Sequence, residues 1–287
     1  MTQFVILDLE WNTAYSRSKE RFINEIIEFG AVKLDDELNV IDSFSSLVKP
    51  KIEKKLRSRV KNLTNISNQD VAEADGFLIV FERFLEWLDD GEEIMLMSWG
   101  DMDIRTLIDN CVYYYDNPRI PLVSKYFDLQ SYFMLKKNLA KGQQISLSNA
   151  ATLIEVDADK YTHHRALGDS ELAAVCFRAV FDENDYLKYV LTCDDEFYER
   201  ILFKPYIVTD INDILVDKTV LSCRCTECGM LANQTSDWKF VNNNFRAFYF
   251  CKSCKVRYRV QVQFKKAYTQ LNIKKSVIKI ENKVNKK

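Results

Sequence analysis

The sequence predicts a mixed α/β body followed by a small all-β module. Strand-like patterns come first, and helix-like patterns broken by one more strand come after. Charge also divides along the chain. Residues 219–287 carry 15 Lys+Arg and 3 Asp+Glu, residues 1–218 carry 25 and 39, and the whole nets −2. Five of the eight cysteines fall between positions 223 and 254. With 287 residues, 47% of them apolar and 13% aromatic, the chain can bury a sizeable core, which excludes general disorder. No apolar run reaches the roughly 18 residues of a membrane span. No basic segment precedes the acid at Asp8, so no signal peptide is expected. The expectation is a soluble, cytoplasmic protein.

Residues 4–11 form an apolar run suited to a buried strand, and 25–34 and 40–48 read as further strands, the last stopped by Pro50. The polar stretch 35–39 between them predicts an antiparallel hairpin. Phe77, Val80, Phe81, Phe84, Leu85 and Leu88 repeat at helical spacing over 77–89. Residues 93–99 predict another strand. Residues 104–115, 129–139, 147–154 and 165–181 predict helices, the last with Leu172, Val175, Cys176, Ala179 and Val180 on one stripe. The pattern loses clarity over 196–218, which is read as a connecting segment between a body at 1–195 and a basic module at 219–287.

Three segments of the body carry carboxylates in arrangements that suggest chemistry. Asp8 and Glu10 are two apart on the first strand, so alternation places both on one sheet face, opposite Val5, Leu7, Leu9 and Trp11. Two neighbouring acids in an apolar strand repel each other and are costly to bury. A divalent cation removes both costs, and oxygen ligands suit Mg²⁺ or Mn²⁺. The plain alternative is an edge strand with two solvated acids. The second segment, Ser98-Trp99-Gly100-Asp101-Met102-Asp103, follows a strand and opens a helix, where an acid also serves as an ordinary cap. The third, His163-His164-Arg165-Ala166-Leu167-Gly168-Asp169, holds both histidines of the chain. On one helix His164 and Asp169 would lie about 140° apart. They share a site only if His164 sits on the preceding loop.

Taken together, Asp-x-Glu, the Asp after Ser-Trp-Gly and His-x4-Asp resemble the DEDD superfamily of 3′→5′ exonucleases. The branch is the one with a His-x4-Asp motif, which includes ribonuclease T and the Eri-type RNA exonucleases. Residues 24–32 resemble that family's second strand, and the likeness extends over roughly residues 3–182. It implies a ribonuclease H-like mixed sheet flanked by helices and a two-metal 3′→5′ exonuclease. The substrate would be single-stranded RNA or DNA, RNA slightly favoured, and the products nucleoside 5′-monophosphates. Asp8, Glu10 and Asp169 would hold one Mg²⁺ or Mn²⁺. Asp8 would bridge to a second, helped by Asp103. His164 would be the general base, and His163 is assigned no role. Asp103 is preferred to Asp101 because the family's acid lies four residues before a leucine, here Leu107. Trp11 would stack on a terminal base or sit in the core. A catalytically inactive binding adaptor with the same fold is the other reading.

In the basic module, Cys225-x2-Cys228 and Cys251-x2-Cys254 are two knuckles with 22 residues between them. Four thiolates so spaced predict one structural Zn²⁺, with two disulfides as the alternative and Cys223 as a spare. After Cys254, Val256, Tyr258, Val260, Val262 and Phe264 alternate with Arg257, Arg259, Gln261, Gln263 and Lys265, the pattern of a half-buried strand with a basic outer face. The module resembles a zinc ribbon. Arg257 and Arg259 are its candidate substrate contacts, and protein docking is its other reading. The Lys-rich end, 274–287, is expected to be a basic tail or an edge strand.

Overall fold

The structure is a computed structural model, and it describes residues 2–140, 144–161 and 164–280. The chain forms two compact units, residues 1–202 and 203–287. No helix among the described residues is long and apolar enough to cross a membrane.

The first unit opens with three antiparallel strands, β1 (Thr2–Ser16), β2 (Arg21–Leu34) and β3 (Val40–Leu47). Three helices follow, α1 (Ser58–Thr64), α2 (Asn68–Glu73) and α3 (Phe77–Leu88). Then come β4 (Glu93–Ser98), α4 (Met102–Tyr115), β5 (Val123–Asp128), α5 (Leu129–Lys136), α6 (Leu147–Leu153), α7 (Ala166–Arg178), β6 (Val190–Thr192) and α8 (Asp195–Leu202). The sheet runs β3-β2-β1-β4-β5-β6, with β1, β4 and β5 parallel and the outer pairs antiparallel.

The central strand is apolar on both faces because helices cover both. Val5, Leu7 and Leu9 face the side packed by α3, α4 and α8. Phe4 and Ile6 face the side packed by α5 and α7. Asp8 and Glu10 continue that second face at the strand's far end. The stripe on α3 buries Phe77, Val80, Phe81, Phe84 and Leu88, as its spacing predicts. Full burial of each such side chain stabilises by about 1.5–3 kcal/mol.

The second unit is a sheet ordered β12-β11-β10-β8, from β8 (Asn233–Gln234), β10 (Asn244–Cys251), β11 (Val256–Lys266) and β12 (Leu271–Ile280). Two short strands complete it: β7 (Tyr206–Ile207) on β11 and β9 (Lys239–Val241) on β10. Its core is the inner face of β10 and β11, with Phe245, Ala247, Tyr249, Tyr258, Val260, Val262 and Phe264 buried.

Two features differ from the sequence expectation, and for the Lys-rich end one of the two expected alternatives is met. The segment 196–218 is not a connector: Phe197, Tyr198 and Ile201 on α8 pack into the first unit, whereas Val208 and Val216 pack into the second. Its apolar side chains serve two different cores, so no single periodicity runs through the segment. Strand β5 was not expected, because Val-Ser-Lys-Tyr-Phe-Asp mixes polar and apolar residues; parallel pairing to β4 forms it. The Lys-rich end is an edge strand up to Ile280, and residues 281–287 lie outside the described residues.

Candidate active site

Sheet order creates the site. Strand β4 runs parallel to β1, and their pairing ends at Ile6↔Met97. Beyond that level the β4 side of β1 has no strand, and the Leu9 N–H donates instead to Asp103 Oδ1 at 3.0 Å. Asp103 is therefore buried in the first turn of α4, beside Asp8 and Glu10. Such a crevice at the carboxyl ends of parallel strands is where open α/β sheets place ligands. Gly100 makes the turn from β4 into α4, with φ +86.

Helix α7 brings the remaining acid. Its start lies directly on β2: a Cβ at Gly30 would fall 2.0 Å from the Ala166 carbonyl carbon, so only glycine permits the approach. Ser170 Oγ donates to the Gly30 carbonyl at 2.8 Å. Arg165, just before the helix, grips the buried Glu28 carboxylate through Nε and Nη2 at 2.6 to 3.2 Å. The Ala166 N–H adds a third donor group. Glu28 is paired with Glu10 across β1 and β2. This anchor sets Asp169 one turn into α7, facing Asp8 and Glu10.

One carboxylate oxygen each from Asp8, Glu10 and Asp169 lies within 4.8 Å of the others. Asp103 lies in the same cavity of about 500 Å³, which Trp11, Arg57, Arg59 and Leu63 also line. Burial, then Asp103, Asp169 and Glu10, push the Asp8 carboxyl well above the usual range. Burial, then Asp169, Glu28 and Asp103, push Glu10 up to about 8. Burial raises Asp103 to about 7, although its hydrogen bond from Leu9 opposes this. Hard oxygen donors crowded against their own charge fit a small divalent cation, which would favour the ionised form of each.

Asp101 lies apart from that cavity and forms an ion pair with Arg105 at 2.7 Å. Trp11 packs partly against the core and lines the cavity with its remaining surface. His164 sits on the loop before α7 with φ 55 and is exposed. It lines a separate groove beside Asn149, Asp157 and Asp159. His163 lies outside the described residues.

Sequence reasoning missed Glu28, Arg165, Arg57, Arg59 and Asn110. Asn110 accepts from the Ile26 N–H where the β1–β2 register shifts, next to Glu10 and Trp11, so its amide fills a β-bulge. Arg165 stood inside the histidine motif, and Glu28 lay two residues before Gly30. Neither spacing shows a partner so distant in the chain.

In the second unit the Sγ atoms of Cys225, Cys228, Cys251 and Cys254 all lie within 4.8 Å of one another, and Cys228 and Cys251 are 3.7 Å apart. That is far beyond a disulfide bond, and all eight cysteines are free thiols. It matches the separation of about 3.8 Å between sulfurs of a tetrahedral site with Zn–S near 2.3 Å. The Tyr258 hydroxyl, 3.1 Å from Cys225 Sγ, pulls that thiol down to about 6, towards the thiolate a metal needs. Arg257 and Arg259 lie on the outer face of β11, as alternation predicts.

Comparison with known proteins adds independent findings. A family model described as "Exonuclease" matches residues 5–177. The probable 3′-5′ exonuclease KapD of Bacillus subtilis is 32% identical over 186 residues, 64% of this chain and 87% of that protein. The rat 3′-5′ exoribonuclease 1 is 33% identical over 84 residues, 29% of this chain and 24% of that protein. The solved nuclease domain of 3′hExo, a DEDDh protein bound to rAMP, aligns with a TM-score of 0.56 at 22% identity, covering 67% of this chain and 96% of that one. Cell-death related nuclease 4 aligns with a TM-score of 0.52 at 19% identity, covering 61% and 62%. These likenesses establish the ribonuclease H-like exonuclease fold of the first unit.

Proposed function

We propose, starting from the fact that this chain belongs to the exonuclease family and is a 3′→5′ exonuclease of nucleic acid, that it removes nucleoside 5′-monophosphates one at a time from the 3′ ends of single strands, RNA before DNA. The observation that carries the reading is the convergence of Asp8, Glu10, Asp169 and Asp103 on one cavity at the open end of the central strand. A space of about 500 Å³ is of the size that encloses one small ligand, and so one terminal nucleotide. The RNA preference draws on relatives named exoribonucleases. An inactive adaptor finds no support in these residues, since none of the four acids is missing.

Asp8, Glu10 and Asp169 would hold one Mg²⁺ or Mn²⁺, and Asp8 with Asp103 a second. Two such ions, when bound, supply charge stabilisation at the attacking water and at the leaving 3′-oxygen. His164, on the loop five residues before Asp169, takes the proton of the attacking water. Water oxygen bonds to phosphorus, the bond to the preceding 3′-oxygen breaks, and that oxygen takes up a proton. Trp11 stacks on the terminal base, and Arg57 and Arg59, exposed at the cavity, meet the strand's phosphates. The four cysteines of the second unit hold one structural Zn²⁺, and Arg257 and Arg259 contact the strand.

The test uses 5′-labelled RNA and DNA of one sequence with Mg²⁺, Mn²⁺ or a chelator. A metal-dependent ladder shortening from the 3′ end, faster on RNA, is expected. Cleavage that persists in chelator would overturn the metal assignment, and equal rates would remove the sugar preference.

A further inference from the structure

We infer that the outer face of the second unit's sheet is a stacking track for single-stranded nucleic acid, with bases on Phe248 and Phe250 and phosphates on Arg246, Arg257 and Arg259. The inference rests on the reading of the chain as a nuclease of single strands and adds a second contact with that strand.

The sheet is two-faced. Tyr249, Cys251, Tyr258 and Val260 point into the core, so the alternate residues of β10 and β11 point away from it. On that outer face Phe248 stands opposite Arg259, and Phe250 opposite Arg257. Arg246 lies two residues before Phe248 on the same face. Each ring thus has a guanidinium as its partner across the strand pair, and Arg246 precedes the two rings along β10. Phe248 is 42% exposed, more than an ordinary core ring would be, and Arg257 is exposed. The two rings are about 6.8 Å apart along the strand, a row on which successive bases of an extended strand can lie.

Charge decides the occupant. Strands β10, β11 and β12 contain no Asp or Glu. Among the described residues the second unit's one ion pair is Lys279 with Glu227. The Nε atoms of Arg246 and Arg259 are shielded from solvent and have no hydrogen-bond partner, which fits stems lying flat on the sheet with their outer guanidinium N–H groups turned out. A face of cations that meets no counter-charge among the described residues, set beside rings, suits a polyanion carrying flat bases. Stacking requires no particular sequence, as an exonuclease that must traverse any strand demands.

The experiment uses the full chain with Asp8→Asn to prevent degradation, zinc loaded, and a 5′-fluorescent single strand of about 20 nucleotides, longer than the roughly 4–16 that one such surface covers. Anisotropy then gives Kd across a salt series. Phe248→Leu with Phe250→Leu keeps apolar bulk and removes the rings; it should weaken binding at least about 30-fold without altering the salt slope. Phe248→Tyr with Phe250→Tyr should restore it. Arg246→Gln, Arg257→Gln and Arg259→Gln together should lower the salt slope by about 2. With Asp8 restored, trinucleotide hydrolysis should be unchanged by the Leu and Tyr pairs, and one zinc per chain reports an intact fold in every variant. Unchanged affinity in the Leu pair overturns the track. Unchanged affinity in both sets overturns it too and turns the face towards protein docking. If the wild-type chain degrades no strand, the nuclease reading fails by itself, while the binding series still decides the track.

Discussion

In the first unit, the clustered ligands come from β1, α4 and α7, far apart in the chain, and their carboxylates edge an open cavity. In the second, four thiols come from two short turns, Cys225–Cys228 and Cys251–Cys254, and gather within 4.8 Å of one another, with the Tyr258 hydroxyl beside Cys225. Carboxylates around a hard cation leave positions for water and a phosphate oxygen, so such a site can do chemistry. Four thiolates around zinc leave none, so that site holds structure together. The first site costs the fold stability when empty, because like charges are packed together. The second, if it holds zinc as proposed, would concentrate the stability of a small unit in one ion. Donor type and open positions, more than the number of ligands, separate a working site from a staple.

The largest effect should come from breaking the staple. Cys251→Ser, or zinc removal, should unfold the second unit, since binding of structural zinc supplies on the order of 10 kcal/mol. Calorimetry should show that unit's transition lost and the first unit's kept. Loss of both together would break the division into two independent units.

Asp8→Asn should lower the exonuclease rate at least about a thousandfold, or some 4 kcal/mol of transition-state stabilisation. Without Mg²⁺ or Mn²⁺, its melting temperature should equal or exceed the wild type's, because one of the crowded charges is gone. A lower melting temperature would make Asp8 a structural residue.

Arg165→Met sharpens the comparison within the first unit. It leaves the Glu28 carboxylate, 2% exposed, without its charged partner. Chemical denaturation should show a loss of about 3 kcal/mol, with turnover falling as well because α7 carries Asp169. A loss under 1 kcal/mol would mean that the Ala166 N–H and water suffice.

The last test concerns pH. Glu10 and Asp103 bind protons more tightly folded than unfolded, so stability falls as pH rises through the interval between the two values. For Glu10 that window runs from about 4.5 to about 8, and for Asp103 from about 3.8 to about 7. Free of Mg²⁺ and Mn²⁺, the first unit should melt at progressively lower temperature across it, and either ion should flatten the curve. A flat curve without the ions would show that the acids are not crowded in solution.

Local and periodic features are legible in the chain alone. Alternation put Asp8 and Glu10 on one face of β1 because side chains on a strand repeat every two residues whatever surrounds them. Helical spacing marked α3, and two Cys-x2-Cys knuckles named four thiols that the fold does bring together. Charge composition marked a basic module whose sheet strands prove free of acids.

The remaining features depend on contacts between distant segments. Asp103 rather than Asp101 edges the cavity because β4 stops short and leaves the Leu9 N–H to be satisfied. Glu28 and Arg165 meet across 137 residues, and Gly30 is required by the close approach of α7; neither leaves a periodic trace. The segment 196–218 belongs to both units because its apolar side chains are buried by partners the segment does not contain. His164 lies outside the acid cavity, on a loop whose left-handed residue no pattern foretold. Short-range rules act through neighbours in the chain and are legible from it. Burial, like-charge crowding and strand order act through neighbours in space, and only folding supplies those.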